Sequence, residues 1–297
     1  MSEAFPRVSV IVPTRNRPQL VWKAVRSIAS GNEPPAEIVV VDQSAVPHPE
    51  LAAEPVFGDC RVRYVRSSST GLSAARNEGV AAAAHAILAF TDDDVVATPS
   101  WLATLVSALV DGGERTVVSG RVLSGEPEVP GGFQVGLRID DQPSVATHPG
   151  SRDPLVGGNT AMRRAAFERL GGFDARLGAG TPYGGAEDND LGLRLLRAGY
   201  SIRYVPEAVL YHRAWRPGGD YWRIRWRYGV GQGGFYGKVA LDRDPYAASR
   251  FLGHVGRYAV RLPWRLVSQP RRALGDLVFV GGLAYGMTRW VATERRP

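Results

Sequence analysis

The sequence predicts an α/β fold: a mainly parallel central sheet with helices on both faces, followed by a C-terminal helical extension. Three observations predict it. Through the first half, apolar runs of strand length alternate with amphipathic stretches of helix length, the rhythm of βαβ units. Pro13, Asp42 and the triplet Asp92, Asp93, Asp94 each end such a run, so they converge on the carboxyl edge of the sheet, where such folds bind ligands. Beyond about residue 220, aromatics and arginines interleave and no strand signal remains.

The first strand, residues 8–12, is closed by Pro13. Pro18 opens a helix whose apolar stripe is Leu20, Ala24, Val25 and Ile28, and Gly31 stops it. Strands follow at 37–41, tipped by Asp42, and at 62–65. An Ala-rich helix at 73–84 leads to the strand 86–90, which runs into the three aspartates. Pro99 opens a helix at 101–110, and 117–122 is a fifth strand. Residues 124–156, rich in Gly, Pro, Ser and charge, read as a long functional loop. Helices are expected at 163–170, stopped by Gly171 and Gly172, and at 188–198, stopped by Gly199; short strands are expected at 202–205 and 209–212. In the extension, 251–267 reads as a basic amphipathic helix interrupted or kinked at Pro263, with Arg257, Arg261 and Arg265 on one side and Leu252, Val255, Tyr258, Leu262 and Leu266 on another. Residues 273–291 are apolar but carry Asp276 and Arg289. Their uncharged core is shorter than the ~20 residues of a membrane span, so a surface-lying or packed helix is expected.

Composition narrows the function. The 297 residues are 44% hydrophobic, enough for a large core. One cysteine, Cys60, excludes an intrachain disulfide. The N-terminus lacks a basic start followed by an apolar core, so a cytoplasmic location is expected. The net charge of +7 is uneven: residues 201–297 carry +11 and residues 1–200 carry −4. The basic tail suits an anionic membrane surface, whereas the acidic body argues against an enzyme that grips nucleic acid. No nucleic-acid partner is expected.

Asp92, Asp93 and Asp94 follow a buried strand directly. Adjacent carboxylates repel unless a cation lies among them, and oxygen ligands suit a hard divalent ion, Mg²⁺ or Mn²⁺, which would in turn hold a diphosphate. Four further blocks stand in order around this one: Val10-Ile11-Val12-Pro13-Thr14-Arg15-Asn16-Arg17, Val39-Val40-Val41-Asp42-Gln43-Ser44, Gly71-Leu72-Ser73-Ala74-Ala75-Arg76-Asn77-Glu78-Gly79, and Gly185-Ala186-Glu187-Asp188-Asn189-Asp190-Leu191. Together the five resemble the family-2 glycosyltransferases over about residues 7–213.

That resemblance implies a GT-A fold over residues 1–215, with 216–297 as the extension. It also implies a nucleotide-diphospho-sugar donor and transfer with inversion. Pro13, Thr14, Arg15, Asp42, Arg76, Asp92 and Asp93 would bind the donor. Asp42 would accept from a pyrimidine imide, favouring UDP or dTDP, unless it is a turn-capping residue. Arg76 completes the nucleotide pocket or pairs with an aspartate of the triplet, and the two roles are compatible. Asp94 would contact the metal, with Asp92 on the ribose or the ion's water shell and Asp93 turned into the protein. His212 is a further candidate ligand or else structural. Asp188, kept ionised by a helix N-terminus, would be the general base, and Glu187 would hold acceptor hydroxyls; the alternative is that Glu187, Asp188 and Asp190 are plain first-turn acids. Gly185 lets backbone approach the acceptor sugar. Gly158 and Asn159 resemble the loop beside the donor sugar, or form a plain turn.

Processive synthases of the family carry Gln-x-x-Arg-Trp. Here Arg225-Trp226 is present but Trp222 stands at the Gln position, so single-sugar transfer is expected. A sugar or lipid-linked acceptor, with peripheral attachment to the inner face of the membrane, fits the basic tail. Transfer to a polyprenyl phosphate or a small metabolite, and a non-catalytic carbohydrate-binding protein, are the rival readings.

Overall fold

A computed structural model of the protein describes residues 5–150, 153–213 and 215–294. The first elements are β1 (Val8–Thr14), α1 (Pro18–Ala29), β2 (Glu37–Asp42), α2 (Pro49–Ala52), β3 (Val56–Phe57), β4 (Cys60–Arg66) and α3 (Leu72–Ala82). Next come β5 (Ile87–Thr91), β6 (Val95–Ala97), α4 (Trp101–Asp111), β7 (Thr116–Ser124), β8 (Ser144–Ala146), β9 (Asn159–Arg163), α5 (Arg164–Arg169), α6 (Glu187–Arg197) and β10 (Ser201–His212). Three long helices close the chain: α7 (Tyr221–Leu241), α8 (Pro245–Ser268) and α9 (Pro270–Thr293).

One sheet runs in the order β3-β4-β2-β1-β5-β9-β7-β10-β6, with β8 also on β10. β4, β2, β1 and β5 are parallel, and Thr14 stands level with Asp42. This half matches the expected βαβ winding. The other half is mixed. β9 enters antiparallel between β5 and β7, and β10 is parallel to β7 but antiparallel to β6 and β8. Where the sequence suggests a turn running into a helix at 163, residues 159–163 form this central strand. Its Ala161 and Met162 fill the core. The two strands expected at 202–205 and 209–212 are one, with a register shift between Val205 and Val209. Pro206 lacks the N–H that an unbroken ladder needs.

Every residue of β1 is buried, as a strand covered on both faces requires. Val21, Ala24, Val25 and Ile28 of α1 pack with Trp101, Leu105 and Leu109 of α4 on one face. Ala75 of α3, Phe167 of α5 and Leu191 and Leu195 of α6 cover the other. Gly79 lets α3 lie against Ile11 and Val41, because a Cβ there would run into both side chains. Cys60 is buried and burial pushes its thiol up to about 12, which keeps it inert.

α8 runs through Pro263 without a break, and Arg265 leaves the basic stripe to pair inside with Asp276 of α9. Leu252 and Leu266 are exposed together with Val260, Trp264 and Val267. α9 packs against α7 through glycines: a Cβ on Gly233 would collide with the Leu283 carbonyl, and one on Gly286 with the Val230 carbonyl. Among the described residues no helix is long and apolar enough to cross a membrane.

Candidate active site

The carboxyl ends of β1, β2 and β5 and the start of α6 open onto one cleft of about 620 Å³. Pro13, Thr14, Arg15, Arg17 and Gln43 line one end. Asp92, Asp93, Asp94 and His212 lie in its middle with Gly157, Gly158, Gly185, Glu187 and Asp188. Arg216, Tyr228, Gln232 and Phe279 close it from the side of the extension.

The triplet divides its work. Asp93 turns inward, accepting from the Thr14 hydroxyl (2.7 Å) and Arg17 (3.0 Å). Asp94 accepts from Arg17 at 2.8 Å and lies 3.2 Å from His212 Nε2. Asp92, the most exposed of the three, pairs with Arg76 at 2.8 Å. Arg76 is itself 1% exposed and reaches Glu187 at 3.3 Å, so one guanidinium ties the β5 acids to those of α6. A Cβ on Gly158 would strike the Asp92 carboxylate, and one on Gly157 would meet Arg76, which explains the glycine pair.

Burial and then Asp94 push the Asp93 carboxyl up to about 6, against the pull of Arg17. Burial also works to raise Asp94, but His212 and Arg17 outweigh it and hold that carboxyl low. Burial and then Asp188 push Glu187 up to about 7. Burial raises Asp188 too, while Arg76 and the backbone N–H groups of Asn189 and Gly157 oppose the rise. Ala186, just before this turn, holds a left-handed φ of 66° that a non-glycine residue adopts at a cost.

Two predicted residues sit elsewhere. Asp42 is buried beneath the cleft floor, engaged by the Tyr64 hydroxyl, the Ser44 N–H (2.7 Å) and Arg66 (3.3 Å). Gln43, not Asp42, faces the cleft. The Asn159 side chain points into the core, donating to the Arg121 and Ala208 carbonyls (2.9 and 3.0 Å) and accepting from Trp101 (2.8 Å). Its hydrogen bonds are spent on fixing β9, because a buried amide must be satisfied locally. Arg17 is among the cleft residues that sequence reasoning leaves unassigned; its place in the Val10–Arg17 block was the available signal.

Among the described residues no three His, Cys, Asp or Glu side chains form a ready-made metal cluster. The donor chemistry nevertheless fits a hard divalent ion held by few protein ligands. Asp94 Oδ1 and His212 Nε2 are 3.2 Å apart, close to the ~3 Å that separates neighbouring donors of an octahedral ion with ligands at 2.0–2.1 Å. His212 Nδ1 is buried with no hydrogen-bond partner among the described residues, so the support usual for a ligand histidine is missing there.

A mixed sheet with acids converging at its carboxyl edge, one arginine binding Asp92 to Glu187 and a single cleft over them is the arrangement of a GT-A fold. The comparisons agree. The chain belongs to Glycosyl transferase family 2, whose sequence model matches residues 9–171, and residues 147–214 match the family described as N-terminal domain of galactosyltransferase. The pre-mycofactocin glycosyltransferase of Mycobacterium tuberculosis is 29% identical over 69% of this chain and 42% of its own length. The glycosyltransferase AglE of Haloferax volcanii is 27% identical over 78% of this chain and 75% of its own. The chain thus spans less than half of the first of these relatives. Among solved structures, the mannosyltransferase PcManGT of Pyrobaculum calidifontis, in complex with GDP-Man and Mn²⁺, superposes with a TM-score of 0.64 at 20% identity, covering 99% of this chain and 89% of that one. TarS of S. aureus in complex with UDP-GlcNAc gives 0.59 at 15%, covering 96% and 84%. At these identities they bear on fold alone.

Proposed function

We propose that this protein transfers a single sugar, with inversion, from a nucleotide-diphosphate donor to an acceptor hydroxyl. The observation that carries the reading is the Arg76 bridge, which holds the Asp92 and Glu187 carboxylates together in one cleft. The donor's nucleoside lies at the Thr14, Arg15 and Gln43 end, and its diphosphate near Asp92 and Asp94. Asp94 and His212, with Asp92 nearby, would hold Mn²⁺ or Mg²⁺; such an ion neutralises charge on a leaving nucleoside diphosphate. Asp188 takes the proton of the attacking hydroxyl, and Glu187, tied to Arg76, orients the acceptor. Tyr64 and Arg66 leave Asp42 supporting the nucleoside end from beneath rather than open to a base, which weakens the preference for UDP or dTDP.

The acceptor is proposed to be lipid-linked, in cell-envelope polysaccharide or glycolipid assembly. Val260, Trp264 and Val267 form an exposed apolar stripe on α8 beside Arg257 and Arg261, a pairing suited to an anionic bilayer surface. The test is Asp188→Asn. It should lower kcat by about 10²–10⁴-fold with an unchanged donor KM, the usual weight of a general base. Near-normal turnover would mean that the acceptor is already ionised, as a polyprenyl phosphate is.

A further inference from the structure

The extension does more than pack beside the transferase body: α7 forms one wall of the cleft next to Asp188. We infer that this wall is an acceptor subsite for a sugar ring, with Tyr228 as the platform under the ring and Gln232 as the hydrogen-bonding group that fixes one of its hydroxyls. The inference rests on the transferase reading above and names the class of its acceptor.

Gln232 carries it. The side chain lines the cleft yet is only 8% exposed. One end of its amide is paired with the Asn189 amide at 2.7 Å, and the other end has no hydrogen-bond partner among the described residues. Exchanging O and N in both amides leaves the same count, one end of Gln232 unmatched. The Tyr236 hydroxyl is near enough to feel this amide, but lies outside hydrogen-bonding geometry and is engaged with His254 Nδ1 at 2.8 Å. A buried polar group left unmatched costs about 1–3 kcal/mol, so one that faces a cleft points to a ligand that completes it. Its partner Asn189 follows Asp188 on α6, and Gln232 and Asp188 line the same cleft.

Tyr228 supplies the second observation. Its ring lies over Gly185, where a Cβ would come within 3.4 Å of Cδ1, and it stays 39% exposed toward the cleft. Burial and then Glu187 push its phenol up to about 12, so the ring is neutral at any working pH. A neutral aromatic face bordered by carboxylates and an amide suits a pyranose, which presents C–H groups on one face and hydroxyls at its rim.

The wall is held rigidly. A Cβ on Gly231 would sit 2.6 Å from the Gly185 N, and Gly234 is backed by the Tyr183 ring. Lys238 pins α7 to Asp190 (2.6 Å) and Asp174 (2.8 Å). Rigid placement lowers the ordering cost of binding.

The test uses the full chain in two stages. A panel of UDP-, dTDP- and GDP-sugars with Mn²⁺ is first titrated by calorimetry; the absence of any binding there counts against the transferase reading as a whole. With the matching nucleoside diphosphate bound, p-nitrophenyl glycosides of the common hexoses and N-acetylhexosamines are then screened by saturation-transfer NMR. At least one should bind through its ring protons. Tyr228→Ala and Gln232→Leu should each weaken it by about tenfold, the weight of one stacking contact or one hydrogen bond, whereas Tyr228→Phe stays within about twofold. The nucleotide Kd should be unchanged in all three variants, which also verifies their folding. The inference is overturned if protein that binds nucleotide binds no glycoside, if Phe at 228 is as damaging as Ala, or if the nucleotide Kd shifts in step.

Discussion

Replacing Arg76 by methionine removes the one cation that two acidic segments share, and the cost can be worked out. Arg76 is 1% exposed and lies 2.8 Å from Asp92, 3.3 Å from Glu187 and 5.2 Å above the Phe173 ring. Breaking a fully buried pair costs about 3–5 kcal/mol, because the abandoned charge remains. Asp92 is about a third exposed and recovers some hydration, so the expected loss at pH 8 is about 2–4 kcal/mol. The loss must depend on pH. The Glu187 carboxyl, already raised to about 7, rises further without Arg76, so the folded variant holds protons that the unfolded chain releases. Variant stability therefore falls as pH rises through that value. At pH 5, with Glu187 protonated, roughly half of the penalty should vanish. Urea unfolding of both proteins at pH 5, 6.5 and 8 measures it. A difference below about 1 kcal/mol, or one that does not change with pH, would refute the bridge as the feature holding the acids together.

Three further outcomes are expected. The transfer rate should fall as pH is lowered toward 5, because burial raises the Asp188 carboxyl and a base acts only when ionised; a flat pH–rate profile down to pH 5 contradicts this. Gly233→Ala should cost about 1–3 kcal/mol by overpacking against the Leu283 carbonyl and lower the melting temperature, whereas Gly253→Ala, in open space, should not. The protein should sediment with anionic liposomes at low salt, and the double substitution Val260→Ser with Trp264→Ser should release it without altering donor affinity; equal binding to neutral liposomes would remove the electrostatic argument.

The parallel half of the sheet is legible in the sequence because β1, β2 and β5 are buried on both faces and read as unbroken apolar runs. β9 is not, since its five residues Asn159–Arg163 carry polar ends and owe their conformation to pairing with β5 and β7. The same fact misdirects Asn159: the amide looks available in sequence but is used up inside the core. The acids of the site stand out because local motifs hold them at strand and helix ends. What those acids touch is not local. Arg17 meets Asp93 and Asp94 from more than seventy residues away, and Gln232 meets Asn189 from 43 away, outside any motif. In α8 the helical period is readable, but Arg265 turns inward to Asp276 of α9, a partner that no periodicity reveals.

The central claim is a metal-dependent nucleotide-sugar site at Asp94. The most direct measurement is release of nucleoside diphosphate from UDP-, dTDP- and GDP-sugars without acceptor, with Mn²⁺ or with EDTA, for the wild type and Asp94→Ala, alongside calorimetric binding of each nucleotide. The account predicts Mn²⁺-dependent binding and slow release from one donor, both lost on chelation and in the variant. Binding that ignores EDTA and survives Asp94→Ala, or no binding of any nucleotide, would contradict it.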